Sequence, residues 1–426
     1  MTASPWMLIV PSGPLRGELE APPSKSSSHR ALLLAALARG TSRLSRCLDA
    51  EDVALTRDAL ARLGVVIVPD GPGALLVHGC GGRLPGLTVD LHLGNAGTGL
   101  RFLTAVAALG PGRTRLDGVP RLRQRPIGGL ARALEPLGAR VEWEAEPGFA
   151  PLVVNGGPLP GGSTRLGMGE SSQFASALLL VSPCTPRGVE IALEGTAVSR
   201  PYLDLTLDWM ERFGGPPIAR SAGRLAIPGG QGYRATDVEI EGDYSTAAFF
   251  LAGAAVTGGR VRVSGLPSRS RQADVAFLPF LAAMGCVVER DAESVSVAGP
   301  RRLRGIDAEI SDCPDLAPVI AAVALFAEGP TALRGAPHLR LKESDRIGDL
   351  AAGLRLLGAR VEERSDGLTL HPGAPRPARL DPRGDHRLAM AFAIAGLRID
   401  GVELLDPDCV AKSCPDFFSR IDQLRT

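Results

Sequence analysis

Segments that are apolar on every side recur along this chain, separated by amphipathic stretches and short alternating ones. The first, Ala31–Ala38, has no polar face, and a helix of that kind is buried rather than laid on a surface. Its lead-in, Ser24-Lys25-Ser26-Ser27-Ser28-His29-Arg30, is wholly polar, and Gly40 follows as the expected helix stop. Comparable buried helices are predicted to begin at Asn95, Ser171, Tyr244, Asp315 and His386. Six such starts at intervals of roughly 70–76 residues mark an internally repeated architecture.

A second series runs in step with the first. Amphipathic segments closing on glycine recur as Ala59–Gly64, Ala133–Gly138, Trp209–Gly214, Leu281–Gly285 and Leu354–Gly358. Alternating strands follow most of them: Val141 and Trp143 against Glu142 and Glu144, and Val295 and Val297 against Ser294 and Ser296. The predicted unit is strand, buried helix, strand, surface helix and two strands, with Asp416–Leu424 as a truncated last helix. Six units divide into two groups of three, each group burying three helices under sheet and outer helices in an α/β arrangement. Boundaries near Ala21–Pro23 and Glu241–Asp243 give one domain of residues 1–22 plus 242–426 and another of residues 23–241. The polar helix starts then gather at one end of each domain, and a cleft is expected where those ends face each other.

Composition sets bounds on this picture. A chain of 426 residues, 45% of them hydrophobic, exceeds one core and can fill two. Its net charge of +1, with no run of basic residues, argues against nucleic acid or a membrane surface as partner. The seven cysteines are odd in number and include no Cys-x-x-Cys pair, which reads as reduced thiols in a cytoplasmic protein. The six histidines are scattered and offer no metal site. Met1–Pro11 lacks the basic start of a secretory signal. The apolar runs, Leu316–Ala327 among them, stop short of the ~18 residues a membrane span requires.

Charge changes the picture in a few places. Only Lys25, Lys342 and Lys412 are lysines among the 47 basic residues, and each lies in a dense polar cluster. A compositional pull toward arginine leaves these three to be explained by chemistry, because lysine is a compact movable charge and arginine a fixed fork. Lys25 and Arg30 also stand at the positive end of a helix, where unpaired N–H groups already favour an anion.

Other motifs are less decisive alone. Leu93–Arg101 is neither a Walker loop nor a dinucleotide fingerprint, and its glycines permit either a tight turn or close approach by a ligand. Arg121, Arg123 and Arg125 precede Pro126 at a helix start. Ser171-Ser172-Gln173 and Ser199-Arg200-Pro201-Tyr202 suit a helix cap and a phosphate cradle equally. The stretch from His338 to Arg346 ends in five consecutive charged or hydroxyl residues, and Asp385-His386-Arg387 and Ala411-Lys412-Ser413 complete the set. The absence of a Gly-x-Ser-x-Gly elbow leaves a hydrolase nucleophile without support.

In combination these motifs resemble the enolpyruvyl transferases, and among them the 5-enolpyruvylshikimate-3-phosphate synthase family. The likeness runs in order from Lys25 to Pro415. It implies a two-domain inside-out α/β barrel of six βαβαββ repeats. It also implies transfer of the enolpyruvyl group of phosphoenolpyruvate to the 5-hydroxyl of shikimate 3-phosphate, in aromatic amino-acid biosynthesis. By that resemblance shikimate 3-phosphate is held by Lys25, Ser26, Arg30, Ser171, Ser172, Gln173, Ser199, Tyr202, Asp315, His338 and Lys342. Phosphoenolpyruvate is met by Lys25, Gly97, Arg125, Gln173, Arg346, His386, Arg387 and Lys412. Asp315 becomes the base for the hydroxyl, and Glu343 and Lys25 the groups that move protons at the enol carbon. No metal or organic cofactor is implied, since phosphoenolpyruvate carries its own activation. A monomer that serves as a glyphosate target is also expected. Three positions depart from the family pattern: Phe102 where many members have Pro, Tyr244 where a small residue is common, and His338 where Asn is frequent.

Other functions fit less well. A transferase acting on UDP-N-acetylglucosamine would place a reactive cysteine near Arg113–Arg125, where this chain has none. An RNA-end cyclase would show fewer units and a basic surface. A non-catalytic anion-binding scaffold would gain nothing from Asp315 and Glu343 among its cations.

Overall fold

The apolar helices and their amphipathic partners alternate through the whole chain. The computed structural model describes residues 5–195 and 199–425. Contacts divide the chain into two compact units, Pro23–Ile240 and Met1–Pro22 with Glu241–Thr426.

Among the described residues, Pro23–Ile240 holds helices α1 (Lys25–Leu37), α2 (Glu51–Arg62), α3 (Gly97–Ala107), α4 (Gly128–Leu134), α5 (Ser172–Val181) and α6 (Pro201–Arg212). The odd-numbered ones are sealed in: Leu32, Leu33 and Leu34 of α1 are all fully buried, each contributing about 2 kcal/mol of apolar transfer. The even-numbered ones are two-faced, as in α2, where Val53 and Leu60 are buried and Glu51 is exposed. Strands Thr88–His92 and Arg113–Asp117 run parallel on either side of α3, with Leu91 opposite Leu116. An antiparallel pair, Leu152–Asn155 and Arg140–Trp143, then extends that sheet. Gly162–Gly167 and Val189–Glu194 repeat the parallel step around α5. The first repeat takes its parallel strands from the far end of the unit, where Tyr233–Arg234 and Val238–Glu239 both pair with Ala38–Ser45.

The other unit repeats the plan with α7 (Tyr244–Thr257), α8 (Phe277–Ala283), α9 (Ala317–Ala324), α10 (Gly348–Leu356), α11 (His386–Gly396) and α12 (Phe417–Gln423). Its own first strand is N-terminal: Arg16–Glu20 lies parallel to Arg260–Ser264. Trp6–Ile9 pairs antiparallel with Val402–Leu405 of the last repeat. Helices α7, α9 and α11 pack on one another inside. In each unit apolar helices lie within and sheets and amphipathic helices without, the arrangement of an inside-out α/β barrel.

Two expectations need correction. Gly40 does not stop α1. The helix ends at Leu37, Ala38 is already extended, and the strand Ala38–Ser45 carries Gly40 opposite Gly79. The φ of +103° at Gly40 and the closeness of Ala235 explain the glycine instead. The strand Ser294–Ala298 is not half exposed either. It lies between Arg260–Ser264 and Val287–Arg290, and Ser294 and Ser296 are buried along with Val295 and Val297.

Candidate active site

The polar helix starts carry two sets of chemistry, one in each unit. In Pro23–Ile240, Ser24 caps α1 by accepting from the Ser27 N–H at 3.3 Å. Lys25 follows, and its Nζ lies 3.1 Å from Oδ2 of Asp52 on α2, with both residues buried. Asp52 carries no mark of this role in the sequence, where Glu51-Asp52 reads as an ordinary acidic first turn. His29, also buried, shares a 3.0 Å hydrogen bond with Thr56 Oγ1 and so has a structural partner.

Arg30 is almost wholly enclosed at 1% exposure. Its Nε donates to Thr206 Oγ1 at 2.9 Å, Nη1 to Ser26 O at 2.9 Å and Nη2 to Tyr202 O at 3.2 Å. Its guanidinium also lies 5.4 Å from the ring centroid of Phe102. Burial lowers its pKa to about 10, so it stays charged at neutral pH. Arg30 therefore ties together the backbones of Ser26 and Tyr202, two further candidate residues.

Helix α3 has no side-chain cap. Buried Arg125 approaches it instead, donating from Nη1 to Asn95 O at 2.9 Å. A Cβ added to Gly97 would run into that guanidinium. Arg121 Nη1 donates to Gln124 Oε1 at 3.1 Å, and Arg123 is exposed and forks onto Asp117. Ser171 caps α5 by accepting from Gln173 N at 3.2 Å. Gln173 accepts from Arg101 Nη1 at 2.6 Å and donates to Thr98 Oγ1 at 3.0 Å. Arg101, the last residue of the Leu93–Arg101 stretch, is not among the contacts that the resemblance implies. Ser172 and Ser199 are both buried, and Ser199 has a left-handed φ of 55°.

The other unit gathers its groups around Arg346, which is 1% exposed. Its Nε and Nη2 fork onto the two oxygens of Asp385 at 2.7 and 3.0 Å. Its Nη1 reaches Asp315 Oδ1 at 2.8 Å, and Nη2 also meets Glu343 Oε2 at 2.8 Å. One planar fork thus serves three carboxylates, which lysine's point charge cannot do. Asp315 further meets Arg387 Nη1 at 2.5 Å and Lys342 Nζ at 3.6 Å. Burial pushes the Asp315 carboxyl up, but Arg387, Lys342 and Arg346 outweigh it and hold it well below the usual range. Asp385 also caps α11, accepting from Arg387 N at 3.0 Å, and takes Ser344 Oγ at 3.0 Å.

The polar run before α10 thus divides its labour. Lys342 and Arg346 meet Asp315, Glu343 meets Arg346, and Ser344 supports Asp385. Asp345 is structural, accepting from Ile347 N and Gly348 N at the start of α10 and from Arg340. His338, His386 and Lys412 are buried in the same unit, His386 with Nδ1 3.7 Å from Asp385 Oδ1.

The family model for EPSP synthase (3-phosphoshikimate 1-carboxyvinyltransferase) matches residues 9–421. The chain belongs to that family. A 3-phosphoshikimate 1-carboxyvinyltransferase of Methanoculleus marisnigri is 43% identical over 414 residues, which is 97% of this chain and 98% of the relative. One of Trichormus variabilis is 41% identical over 408 residues, 96% of each. The solved EPSP synthase of Acinetobacter baumannii superposes with a TM-score of 0.81 at 29% identity, covering 99% of this chain and 98% of that one. Against the family pattern, Phe102 is the ring beneath Arg30. The Tyr244 hydroxyl bonds back to Leu266 O and Pro267 O, which makes it part of the α7 packing.

Proposed function

We propose that the chain joins phosphoenolpyruvate to shikimate 3-phosphate through the two sets of residues above. The family's reaction is enolpyruvyl transfer with release of phosphate. In our reading the 5-hydroxyl oxygen of shikimate 3-phosphate bonds to C2 of phosphoenolpyruvate as Asp315 takes its proton, while C3 receives a proton from Glu343 or Lys25. The tetrahedral adduct then loses a proton from C3, and the C2–O bond breaks to release phosphate.

The observation that carries this reading is the position of Asp315. A carboxylate held ionised by three cations is a poor base in the empty protein. Substrate anions that draw Lys342 and Arg387 toward themselves would remove part of that hold and raise its affinity for a proton. Lys25, Ser26, Ser171, Ser172, Gln173, Ser199, Tyr202, His338 and Lys342 would take shikimate 3-phosphate, with Arg30 acting through Ser26 and Tyr202. Lys25, Gly97, Arg125, Gln173, Arg346, His386, Arg387 and Lys412 would meet phosphoenolpyruvate, whose enol and phosphate supply the activation without metal or organic cofactor.

Phosphate release from phosphoenolpyruvate decides the substrate. It should appear with shikimate 3-phosphate and not with UDP-N-acetylglucosamine, and the reverse result would overturn the assignment. We further infer a monomeric cytoplasmic enzyme with no nucleic-acid or membrane partner. Among the described residues no helix is long and apolar enough to cross a membrane. Inhibition by glyphosate should compete with phosphoenolpyruvate at Arg125 and Gly97.

A further inference from the structure

One charged motif has no place in the scheme above: Arg123, two residues before Arg125 in the same turn. That turn follows the strand Arg113–Asp117, whose last residue is 4% exposed. The Asp117 carboxylate takes four donors. Its Oδ1 accepts from Arg123 Nε at 2.8 Å and Gly118 N at 2.7 Å, and its Oδ2 from Arg123 Nη2 at 2.8 Å and Arg115 Nη2 at 3.1 Å. Arg115 in turn donates from Nε to Glu144 Oε2 at 2.8 Å. Burial pushes the Asp117 carboxyl up, but Arg123, the Gly118 N–H and Arg115 outweigh it and hold it below its usual value. The main chain stitches the same turn to the segment leading into α3. Leu93 N donates to Asp117 O at 2.8 Å and Val119 N to Gly94 O at 3.0 Å, and Arg125 Nη1 continues the row on Asn95 O at 2.9 Å. The short helical turn Leu122–Gln124 thus sends Arg123 back to the strand end and Arg125 on to the helix start.

We propose that Asp117 and Arg123 are positioning residues: their two-pronged ion pair pins the turn to the strand end and so places the Arg125 guanidinium against the start of α3. The proposal rests on Arg125 meeting phosphoenolpyruvate. An ion pair at the surface usually contributes little, because water screens it and two mobile side chains must be ordered. Here one partner is buried and held by other donors, and the contact is bidentate, which fixes direction as well as distance. Arg125 has little room for error, being 3% exposed and so close to Gly97 that a Cβ there would strike it. A turn released from Asp117 lets that guanidinium shift, and a displacement of about 1 Å at a positioned group is enough to cost up to about a hundredfold in rate. Arg123 has both prongs on Asp117, so it acts on the substrate only through Arg125.

The experiment measures kcat, both KM values and chemical denaturation for the full-length protein and for Arg123→Gln, Arg123→Lys, Arg125→Gln and the double variant Arg123→Gln/Arg125→Gln. Arg123→Gln should raise KM for phosphoenolpyruvate about three- to tenfold and leave kcat and KM for shikimate 3-phosphate within about twofold. Arg123→Lys keeps the charge without the fork and should recover part of that loss. In the double variant the change at Arg123 should add nothing to that at Arg125. Lower stability with both KM values unchanged would make the pair a brace of the fold alone and overturn the proposal, as would an equal rise in the two KM values. Full additivity in the double variant would also overturn it, by placing the effect of Arg123 elsewhere than on Arg125. Asp117→Asn should repeat the rise in KM for phosphoenolpyruvate; should it fail to fold, the variants of exposed Arg123 carry the test. An unchanged KM in Arg125→Gln is a separate result: it removes Arg125 from the substrate, and the proposal with it, whatever Arg123→Gln does.

Discussion

The two units share one plan and use its helix starts in opposite ways. In Pro23–Ile240 the buried helices begin with neutral caps, Ser24 and Ser171, or with no side-chain cap, at Ala96. Cations stand beside them: Lys25, Arg30, Arg101 and Arg125 are all buried. In the other unit each start carries a carboxylate, Asp243 and Asp385 as caps and Asp315 in the turn leading into α9. The helix field is positive in every case. One unit sets buried cations beside that field; the other meets it with carboxylates and builds an ion network upon them. A single repeated fold thereby supplies cation-lined helix starts in one unit and a carboxylate–cation network in the other, and the difference lies in a few first-turn residues.

The comparison breaks most sharply at Asp315. Asp315→Ala should bind shikimate 3-phosphate, as followed by titration calorimetry, yet lose about a thousandfold or more in kcat. Glu343→Ala should behave alike if it moves a proton at the enol carbon. Near-normal turnover by either folded variant would remove that residue from the mechanism. Removing a charge from Pro23–Ile240 should instead weaken binding.

Next in size is Arg346→Lys. A point charge cannot fork onto Asp385 while also serving Asp315 and Glu343, so buried carboxylates lose partners at a cost of about 3 kcal/mol or more. Chemical denaturation should show the loss. The sign with pH follows from Asp315, which the cations hold well below its ordinary value. Its stabilising contribution is present above the unfolded carboxylate pKa and fades as pH falls through the lower folded value. The variant should therefore narrow the stability gap between neutral and acid conditions, and an unchanged acid limb would count against the network.

Much of this was legible in the sequence, and the limits have physical causes. All-round apolar segments and C-terminal glycines such as Gly138 fixed the repeat, because burial and left-handed caps leave local marks. Gly40 misled because a helix stop and a strand glycine facing Gly79 look alike without the partner strand. Asp52 was invisible because its role arises from contact with Lys25 on another helix. The same holds for the split between Asp345, which accepts from backbone N–H groups leading into its own helix, and Asp385, which holds Arg346 across 39 residues. Composition marked all of these as charged, but only tertiary pairing assigns them.

Asp274 provides the sign opposite to that of Asp315. Its carboxyl is raised to about 7 in the folded protein, chiefly by burial. Such a group favours the folded state below the unfolded carboxylate pKa, and that benefit is lost as pH rises through the folded value. Asp274→Asn should consequently gain stability over wild type above neutrality and gain nothing in acid. Melting curves of the pair across pH test it, and a constant difference would show that the side chain does not titrate there. Within Pro23–Ile240, Gly97→Ala should raise KM for phosphoenolpyruvate roughly tenfold by displacing the Arg125 guanidinium that a Cβ would strike. An unchanged KM would separate Arg125 from that substrate.

The smallest effect belongs to Phe102, where Pro23–Ile240 departs from the family pattern. Its ring lies under a guanidinium that three hydrogen bonds already hold. A desolvated cation–π contact contributes about 1–2 kcal/mol, and Phe102→Leu keeps most of the apolar volume while removing the ring face. Because Arg30 remains tied to Thr206, Ser26 and Tyr202, the loss should loosen the guanidinium without releasing it. Ser26 and Tyr202 would feel that loosening through their carbonyls, so KM for shikimate 3-phosphate should rise only about two- to fivefold with kcat unchanged. Combining Phe102→Leu with Thr206→Val should exceed the sum of the single effects, since both act on one guanidinium. Strict additivity in that double-mutant cycle would mean that Phe102 fills space beside Arg30 and does nothing to hold it.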